Sequence, residues 1–421
     1  MSQRPGTRPT ASWSVSLQRR AYFAAGTFLR YLKIDLADFS EEGLLAAARR
    51  YTGLSDFGDP GFRTALAVLT QSTRTEAKLS FEQSVGERFW LIEVLKRRLH
   101  IQKDLLQHPE ILQERIASPL FILGMPRSGT TLLQNLLHAD AGARWLRPWE
   151  LEEPWPKAEG PDPRERSFLR RLEQSRSGLN EMDKIHALDS PADCDLLFLP
   201  TFYANLQTVS LHIPSYNRWL EERTEKEWEG PYAYYRTELQ RLQWHRPVQG
   251  HWALKSPLHL GHIPALLATF PDARLIHLHR DPRKAVASTC SMVLTQRQQK
   301  TAKVDRAEIG RFISERLANR VERAMSARQS VPAGQIVDVQ YADLLRSPKE
   351  TVQRIYEHFG MSVGPEMMQG LDDHLRENPQ HKRGVHQYGL DQFGLSAEEI
   401  DRLFAYYRSA YQVPVEGAAR A

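Results

Sequence analysis

The chain has 421 residues, of which 41% are hydrophobic and 25% are charged. This ordinary globular composition excludes disorder, collagen or a coiled coil as the main architecture. No stretch approaches the roughly 18 apolar residues that a membrane span needs, and two cysteines cannot form a disulfide framework. The net charge of +5 suits an anionic small ligand and is too small to predict nucleic-acid binding. The polar start lacks the apolar core of a secretory signal, so we expect a cytoplasmic protein.

The first part of the chain has a helical pattern. From about residue 41 to residue 116, apolar side chains recur with a period near 3.6, as at Leu91, Leu95 and Leu99. No strand pattern interrupts this spacing. We therefore expect residues 1–117 to form a helical N-terminal extension that covers the main domain.

The pattern changes at Ser118. Residues 119–123, PLFIL, are typical of a buried parallel strand, residues 124–129, GMPRSG, of a turn, and residues 130–138 of a helix. The backbone N–H groups at such a helix start bind phosphate, helped by the helix dipole. The hydroxyls of Ser128, Thr130 and Thr131 add further donors. This junction is therefore a predicted phosphate-binding loop.

Three more strand–helix units follow, with strands predicted at 252–255, 273–278 and 336–339. After the first, Ser256 is a good N-cap and Pro257 a good first helical residue, with the helix running to residue 270. Strands alternating with helices predict an α/β fold, with a parallel sheet covered on both faces. We expect residues 118–421 to form this domain, with a helical insertion at about 162–246 over the site.

The phosphate loop departs from the nucleoside triphosphate type. The spacing G-x-x-x-x-G-T-T resembles a Walker A motif, but Thr130 stands where that motif has its lysine. That lysine serves the β- and γ-phosphates. The cation lies three residues earlier, at Arg127, so the pattern favours a different phosphate ligand.

The segment PRSGTT, residues 126–131, resembles the 5′-phosphosulfate loop of sulfotransferases that use 3′-phosphoadenosine-5′-phosphosulfate (PAPS). The next family signature is a strand ending in Arg-Asp-Pro with a serine eight residues after the arginine, which Arg280 and Ser288 match. Tyr341 is similar to the adenine-contacting tyrosine, and residues 382–384, KRG, to the segment that closes over the 3′-phosphate. In length and domain style the chain looks like the bacterial branch of this family.

The resemblance implies a P-loop-like sulfotransferase fold and an enzyme that moves a sulfuryl group from PAPS to an acceptor hydroxyl by in-line transfer, without a metal. Lys255, in a segment that resembles the family's second βα loop, would stabilise charge on the bridging oxygen, together with Arg127. The implied donor-binding residues are Arg127, Ser128, Gly129, Thr130, Thr131, Arg280, Ser288, Tyr341, Lys382, Arg383 and Gly384.

The general base has two candidates. Cytosolic members of the family have a histidine two residues after the lysine, but Pro257 stands there, and His259 is the nearest substitute. Several carbohydrate enzymes use a glutamate after the first helix, a place comparable to that of Glu150. Either side chain can accept a proton from a hydroxyl.

Two other functions and several acceptors stay open. A kinase with a degenerate phosphate loop would need Mg²⁺, for which Asp281 is the candidate ligand. An RNA-binding protein would need a clustered basic face, whereas the basic residues here are spread among acidic ones. Apolar residues of the insertion suit a lipid, terpenoid or polyketide alcohol, and a carbohydrate acceptor also fits. The oligomeric state is not predicted.

Overall fold

A computed structural model of the protein describes residues 38–152, 164–168, 170, 192–204, 206–301, 303–377 and 389–416. The strands are β1 (Leu120–Gly124), β2 (Ala143–Arg144), β3 (His251–Lys255), β4 (Arg274–His279) and β5 (Ile336–Gln340). The helices before β3 are α1 (Glu41–Thr52), α2 (Phe62–Glu76), α3 (Phe81–Gln107), α4 (Thr130–Leu137), α5 (Pro148–Glu152), α6 (Gln207–Ser210), α7 (Pro214–Glu221) and α8 (Glu225–His245).

The later helices are α9 (Ile263–Thr269), α10 (Pro282–Lys300), α11 (Arg306–Arg328), α12 (Tyr341–Arg346), α13 (Pro348–His358), α14 (Pro365–Glu377), α15 (Ala397–Leu403) and α16 (Ala405–Tyr411). Short 3-10 helices cover Pro109–Gln113, Cys194–Thr201, Pro257–Gly261, Ala333–Gln335 and Asp391–Phe393. None of the helices in the described ranges is both long and apolar enough to cross a membrane.

The strands form one parallel sheet in the order β2-β3-β1-β4-β5. The central strand β1 pairs on both sides, so that Phe121 lies opposite Leu254 and Leu275. Parallel strands place their carboxyl ends at one edge of the sheet, where ligands of open α/β sheets bind. The loops after β1, β3, β4 and β5 therefore meet at this edge.

Both faces of the sheet are buried, as predicted. Successive side chains of β1 point to opposite faces, and they enter two different apolar clusters. Phe121 and Leu123 pack in a cluster with residues of α8, α10 and α11. Leu120 and Ile122 pack in another with residues of α4, α13 and α14. This arrangement confirms the α/β fold with a parallel sheet between helices.

A third apolar cluster joins two regions that are distant in the sequence. Leu66 and Leu69 of α2 pack in it together with Phe202, Ile213 and Tyr216. The last three belong to the predicted insertion. We call its residues 192–204 and 206–221 the roof. The N-terminal helices and the roof thus share one core. The domain boundary at residue 117 stays a prediction.

The helix predicted after β3 is interrupted. The Ser256 Oγ accepts a hydrogen bond from the backbone N–H of Leu258 (3.0 Å), and Pro257 opens a 3-10 helix, as expected for a helix start. This 3-10 helix ends at Gly261, and α9 begins at Ile263. Pro264 has no N–H to continue a hydrogen-bond ladder through this point, so the single helix predicted to residue 270 was wrong.

Candidate active site

The loop between β1 and α4 has a backbone that few residue types adopt easily. Gly124, Arg127 and Gly129 have φ angles of +152°, +64° and +97°. At Gly129, which precedes the first residue of α4, a Cβ would lie 2.6 Å from Cδ2 of Tyr341. Glycine is therefore required here by both conformation and space. The first N–H groups of α4, which follow, have no intrahelical acceptors.

The structure brings together residues from three sequence motifs beside this loop. The Nε of Arg127 donates to Oγ of Ser288 (3.1 Å), and Nη1 of Arg280 donates to the carbonyl oxygen of Arg127 (2.6 Å). The Arg280 guanidinium carbon lies 4.1 Å from the ring centroid of Tyr341. These contacts span residues 127 to 341 of the chain. The four side chains form one cluster at the carboxyl edge of the sheet.

The sequence did not predict the partner of Arg280 near the end of the chain. The Nε and Nη2 of Arg280 donate to the two carboxylate oxygens of Glu416 (2.7 and 3.1 Å). The backbone N–H of Glu416 donates to Oδ2 of Asp281 (2.8 Å). This hydrogen bond holds the backbone of Glu416 beside Arg280. Asp281 also caps α10, because its Oδ1 accepts a hydrogen bond from the backbone N–H of Arg283 (3.0 Å). Arg280 thus already binds an oxyanion in the bidentate geometry that suits arginine.

Lys255 lies at the end of β3 with 1% of its surface exposed. Its ammonium group forms an ion pair with the carboxylate of Asp193 and lies 3.4 Å from Oγ1 of Thr131. The lysine therefore connects the phosphate loop with the start of the roof. Asp193 is a site residue that sequence reasoning missed, because nothing local in the sequence links it to position 255.

A cavity of about 390 Å³ extends from the loop to the roof. We call its two sides the loop half and the roof half. The loop half is lined by Arg127, Gly129, Thr130, Thr131, Arg280 and Tyr341. The roof half has a largely apolar wall, lined by Leu196, Leu199, Tyr203, Leu220, Trp228, Leu258, Met292, Ile313 and Leu317.

Charged side chains also line the roof half. One carboxylate oxygen of Glu221 accepts from Nε of Arg316 (2.9 Å) and from Nη2 of Arg320 (3.3 Å). Burial, together with the charge of Arg320, lowers the pKa of Arg316 to about 10. Burial, followed by the charge of Asp193, raises the pKa of Asp195 to about 7. Asp195 is thus a lining carboxyl group whose pKa lies well above that of an ordinary aspartate.

Glu150, one of the two predicted bases, lies elsewhere. Its carboxylate accepts from Nη2 of Arg144 (2.8 Å) and from the backbone N–H of Arg147 (3.0 Å), and it is 2% exposed. It is not among the described residues that line the cavity. Pro148 at the first position of α5 and an acid two residues later are a helix-start pattern. That pattern is typical of a capping residue. The contacts argue against Glu150 as the base, a role that stays a prediction.

His259, the other predicted base, is fully buried. Its Nδ1 lies 2.8 Å from the hydroxyl of Tyr232, and its Nε2 lies 3.2 Å from Sγ of Cys194. Burial, with a contribution from His262, lowers its pKa to about 3. His259 is not among the described lining residues, and so low a pKa makes a weak base. These contacts also argue against this candidate, although its role as base stays a prediction.

The remaining predicted residues divide into two groups. Ser128 is buried, does not line the cavity among the described residues, and its Oγ has no hydrogen-bond partner there. Its hydroxyl lies beside Gly124 of the same loop, and its contribution to phosphate binding stays a prediction. Lys382, Arg383 and Gly384 lie outside the described residues.

A second polar cluster lies between β4 and β5, away from the cavity. Nitrogen and oxygen atoms of His277, His279 and Asp338 lie within 4.8 Å of one another, as in a metal site. However, Nη1 of Arg328 lies 2.7 Å from Nδ1 of His277, and its Nη2 donates to Asp338 (2.8 Å). The guanidinium and a hydrogen bond from His279 lower the pKa of Asp338. An arginine already supplies the positive charge of this cluster.

Comparison with known proteins gives the family. The model described as "Sulfotransferase family" matches residues 119–365. The omega-hydroxy-beta-dihydromenaquinone-9 sulfotransferase Stf3 of Mycobacterium bovis is 23% identical over 313 residues, which cover 69% of this chain and 74% of the relative. The same figures hold for Stf3 of Mycobacterium tuberculosis.

Similar solved structures are sulfotransferases as well. Sulfotransferase STF9 from Mycobacterium avium is 29% identical with a TM-score of 0.82, and the match covers 89% of this chain and 97% of that one. Sulfotransferase STF1 from Mycobacterium tuberculosis H37Rv is 30% identical with a TM-score of 0.73, covering 87% and 98%. The P-loop-like fold and the enzyme class predicted from the motifs are confirmed, and the chain belongs to the sulfotransferase family.

Proposed function

We propose that the protein transfers the sulfuryl group of PAPS to a hydroxyl group of an apolar small molecule. The observation that carries this proposal is the composition of the cavity. The loop half gathers Arg127, Arg280 and Tyr341 from separate motifs at a helix N-terminus, whereas the roof half is largely apolar. An anionic nucleotide and an apolar alcohol fit these two environments, and the family match favours sulfuryl transfer over the kinase alternative.

The loop half binds the donor. The first N–H groups of α4, with the hydroxyls of Thr130 and Thr131 and the guanidinium of Arg127, hold the 5′-phosphosulfate. Arg280 and Ser288 hold the 3′-phosphate, which takes the place of the Glu416 carboxylate on Arg280. Tyr341 stacks on the adenine. The predicted contacts of residues 382–384 with the 3′-phosphate complete this site.

The chemistry needs positioning and charge stabilisation. The acceptor oxygen attacks sulfur in line, the bond from sulfur to the 5′-phosphate oxygen breaks, and the phosphate keeps the electron pair. A loose transition state of this kind, like that of phosphoryl transfer, depends on orientation and electrostatics rather than covalent help. Lys255, which contacts Thr131 of the loop, stabilises the charge on the departing oxygen. Arg127 clamps the sulfuryl oxygens but cannot readily give up a proton.

The acceptor is an alcohol on an apolar body, such as a lipid, terpenoid or polyketide. A carbohydrate would need many polar partners, whereas leucine, isoleucine, methionine and tryptophan side chains dominate the roof half. The relative Stf3 is named for a hydroxylated menaquinone, an acceptor of this general kind.

Titration with adenosine 3′,5′-bisphosphate (PAP), the product nucleotide, tests the proposal. We expect saturable binding by calorimetry, and sulfation of an apolar alcohol by PAPS in the presence of EDTA. Arg280→Met should weaken PAP binding about 10- to 100-fold, because a charge-assisted bidentate contact is lost. Arg346→Met, at a largely exposed arginine, is the matched control. Absence of saturable PAP binding, or transfer from ATP that requires Mg²⁺, would contradict the proposal.

A further inference from the structure

The proposed reaction requires a group that takes the proton of the acceptor hydroxyl. Neither of the two predicted bases is among the described residues that line the cavity. The described lining residues of the roof half that can accept a proton are Asp193, Asp195, Glu221 and His262. We therefore expect the general base to be one of these four residues.

Three of the four groups already have partners. Asp193 forms an ion pair with Lys255. Glu221 binds two arginines of α11, as described above. His262 has its Nδ1 3.3 Å from Oε1 of Glu225, and its ring centroid lies 3.9 Å from that of Trp228. The carboxylate of Asp195 forms no ion pair and no side-chain hydrogen bond with the described residues.

We propose that Asp195 is the general base of the reaction, a catalytic residue that contacts the acceptor hydroxyl. This proposal rests on the function proposed above. Its first support is position, since Asp195 lines the cavity two residues after Asp193, which pairs with Lys255 at the end of β3, beside the phosphate loop. The proposed proton acceptor and the proposed leaving-group cation thus line one cavity, and the charge of Lys255 acts on Asp195.

The surroundings of Asp195 shift its pKa in the direction that a general base requires. Burial and the charge of Asp193 raise its pKa, while Lys255 on β3 and Arg320 on α11 oppose this rise. The pKa of Asp195 is therefore about 7, well above the pKa of an ordinary aspartate. A carboxylate with a pKa near the working pH is a stronger base and still ionised in a large fraction of molecules.

Cys194 precedes Asp195 in the chain and is itself held by a buried contact. Cys194 stands between Asp193 and Asp195 in the sequence, and its thiol is fully buried. Its Sγ lies 3.2 Å from Nε2 of His259. The other ring nitrogen of His259 contacts the hydroxyl of Tyr232 (2.8 Å). Burial raises the pKa of Cys194, so it stays a neutral thiol.

The proposed step balances. The acceptor oxygen forms a bond to sulfur as its proton moves to a carboxylate oxygen of Asp195. The bond between sulfur and the 5′-phosphate oxygen breaks, and its electron pair remains on the phosphate of PAP. The protonated Asp195 then releases its proton to solvent, which returns the carboxylate for the next cycle.

Asp195→Asn tests the proposal, because asparagine keeps the size and removes the basicity. The probes are 1-dodecanol, whose hydroxyl needs a base, and 4-nitrophenol, which is already partly ionised at pH 8. With 1-dodecanol we expect kcat/KM to fall by about 10²- to 10⁴-fold. The loss with 4-nitrophenol should be at least ten times smaller, and PAP affinity should stay within twofold.

Two further measurements separate basicity from structure. With the wild-type protein, kcat/KM for 1-dodecanol should rise with pH up to about 7 and then level off, since the base must be ionised. Asp195→Asn should lose this dependence, and Asp195→Glu should recover part of the rate. Asp391→Asn, at an exposed aspartate, is the matched control and should leave both rates unchanged.

The outcomes distinguish this proposal from the proposed function. If the wild-type protein binds no PAP or sulfates neither probe, the proposed function fails. If it is active and Asp195→Asn keeps its rate with 1-dodecanol, or loses equal factors with both probes, the role of Asp195 is overturned. A wild-type protein that sulfates 4-nitrophenol but not 1-dodecanol would overturn it as well.

Discussion

The loop half and the roof half of the cavity are built in different ways. The loop half depends on one short segment, residues 124–131, whose backbone angles create the binding surface, with Arg280 added from the end of β4. The roof half takes its surface from side chains of the roof, α8, α10 and α11, which come together only in the folded chain. One half is thus specified locally and the other by tertiary packing.

This difference predicts different tolerance to change. A binding surface made of backbone N–H groups and paired charges requires one geometry, and small displacements are costly. An apolar wall held by packing accepts changes of similar volume at modest cost. Substitutions in the loop half should therefore weaken donor binding, whichever acceptor is used. Substitutions in the roof half should change which acceptor reacts.

Of three substitutions that compare the two halves, Gly129→Ala in the loop half should have the largest effect. Gly129→Ala places a Cβ at a φ of +97° and 2.6 Å from Tyr341, so the loop must distort. Strain of this kind costs about 1–3 kcal/mol, and PAP binding should weaken by roughly 10- to 100-fold. Gly334→Ala, where a Cβ meets nothing within 4 Å, is the control for calorimetry. Equal PAP affinities for the two variants would show that the loop is not the donor site.

A smaller and more selective effect is expected at Leu196 in the roof half. Leu196→Ala removes apolar surface from the cavity wall, and kcat/KM for 1-dodecanol should fall about 3- to 10-fold through lost contacts. PAP affinity should remain within twofold. Leu112→Ala, at an exposed leucine, controls for general effects. A parallel loss of PAP affinity would contradict the independence of the two halves.

The smallest effect is expected at the boundary of the loop half. Glu416 is partly exposed and binds the guanidinium of Arg280 that the 3′-phosphate needs. Glu416→Gln removes this competing charge, so PAP should bind about 1.5- to 5-fold more tightly, the range of a solvent-screened ion pair. Glu398→Gln, an exposed glutamate, is the control. Weaker PAP binding would show that Glu416 orders Arg280 instead of competing for it.

The loop half was largely predictable from the sequence because its determinants are close neighbours in the chain. Residues 124–131 contain the turn, the helix start and the hydroxyl groups. The four strand–helix units in the sequence predicted the parallel sheet. The family resemblance assigned Arg127, Arg280 and Ser288 to donor binding, and the structure brings these three residues into contact. The two-residue strand β2 was not predicted, since so short a segment has no pattern.

The roof half was not predictable in detail because its contacts cross the chain. Asp193 meets Lys255 across 62 residues, and the roof leaves no periodic signal that would place it over the sheet edge. The two predicted bases rested on family position alone. Glu150 instead caps α5, and His259 is enclosed by Tyr232 and Cys194, contacts that depend on tertiary packing.

The core shared by α2 and the roof has a consequence for protein engineering. The family model begins at residue 119, yet the roof rests on Leu66 and Leu69, well before that point. A chimera that exchanges only the matched segment between two relatives would leave these leucines facing foreign side chains. The unit that can be transplanted with its acceptor preference intact therefore includes α1–α3 as well as the sheet. Selection for a new acceptor can act on residues more than fifty positions away from the phosphate loop.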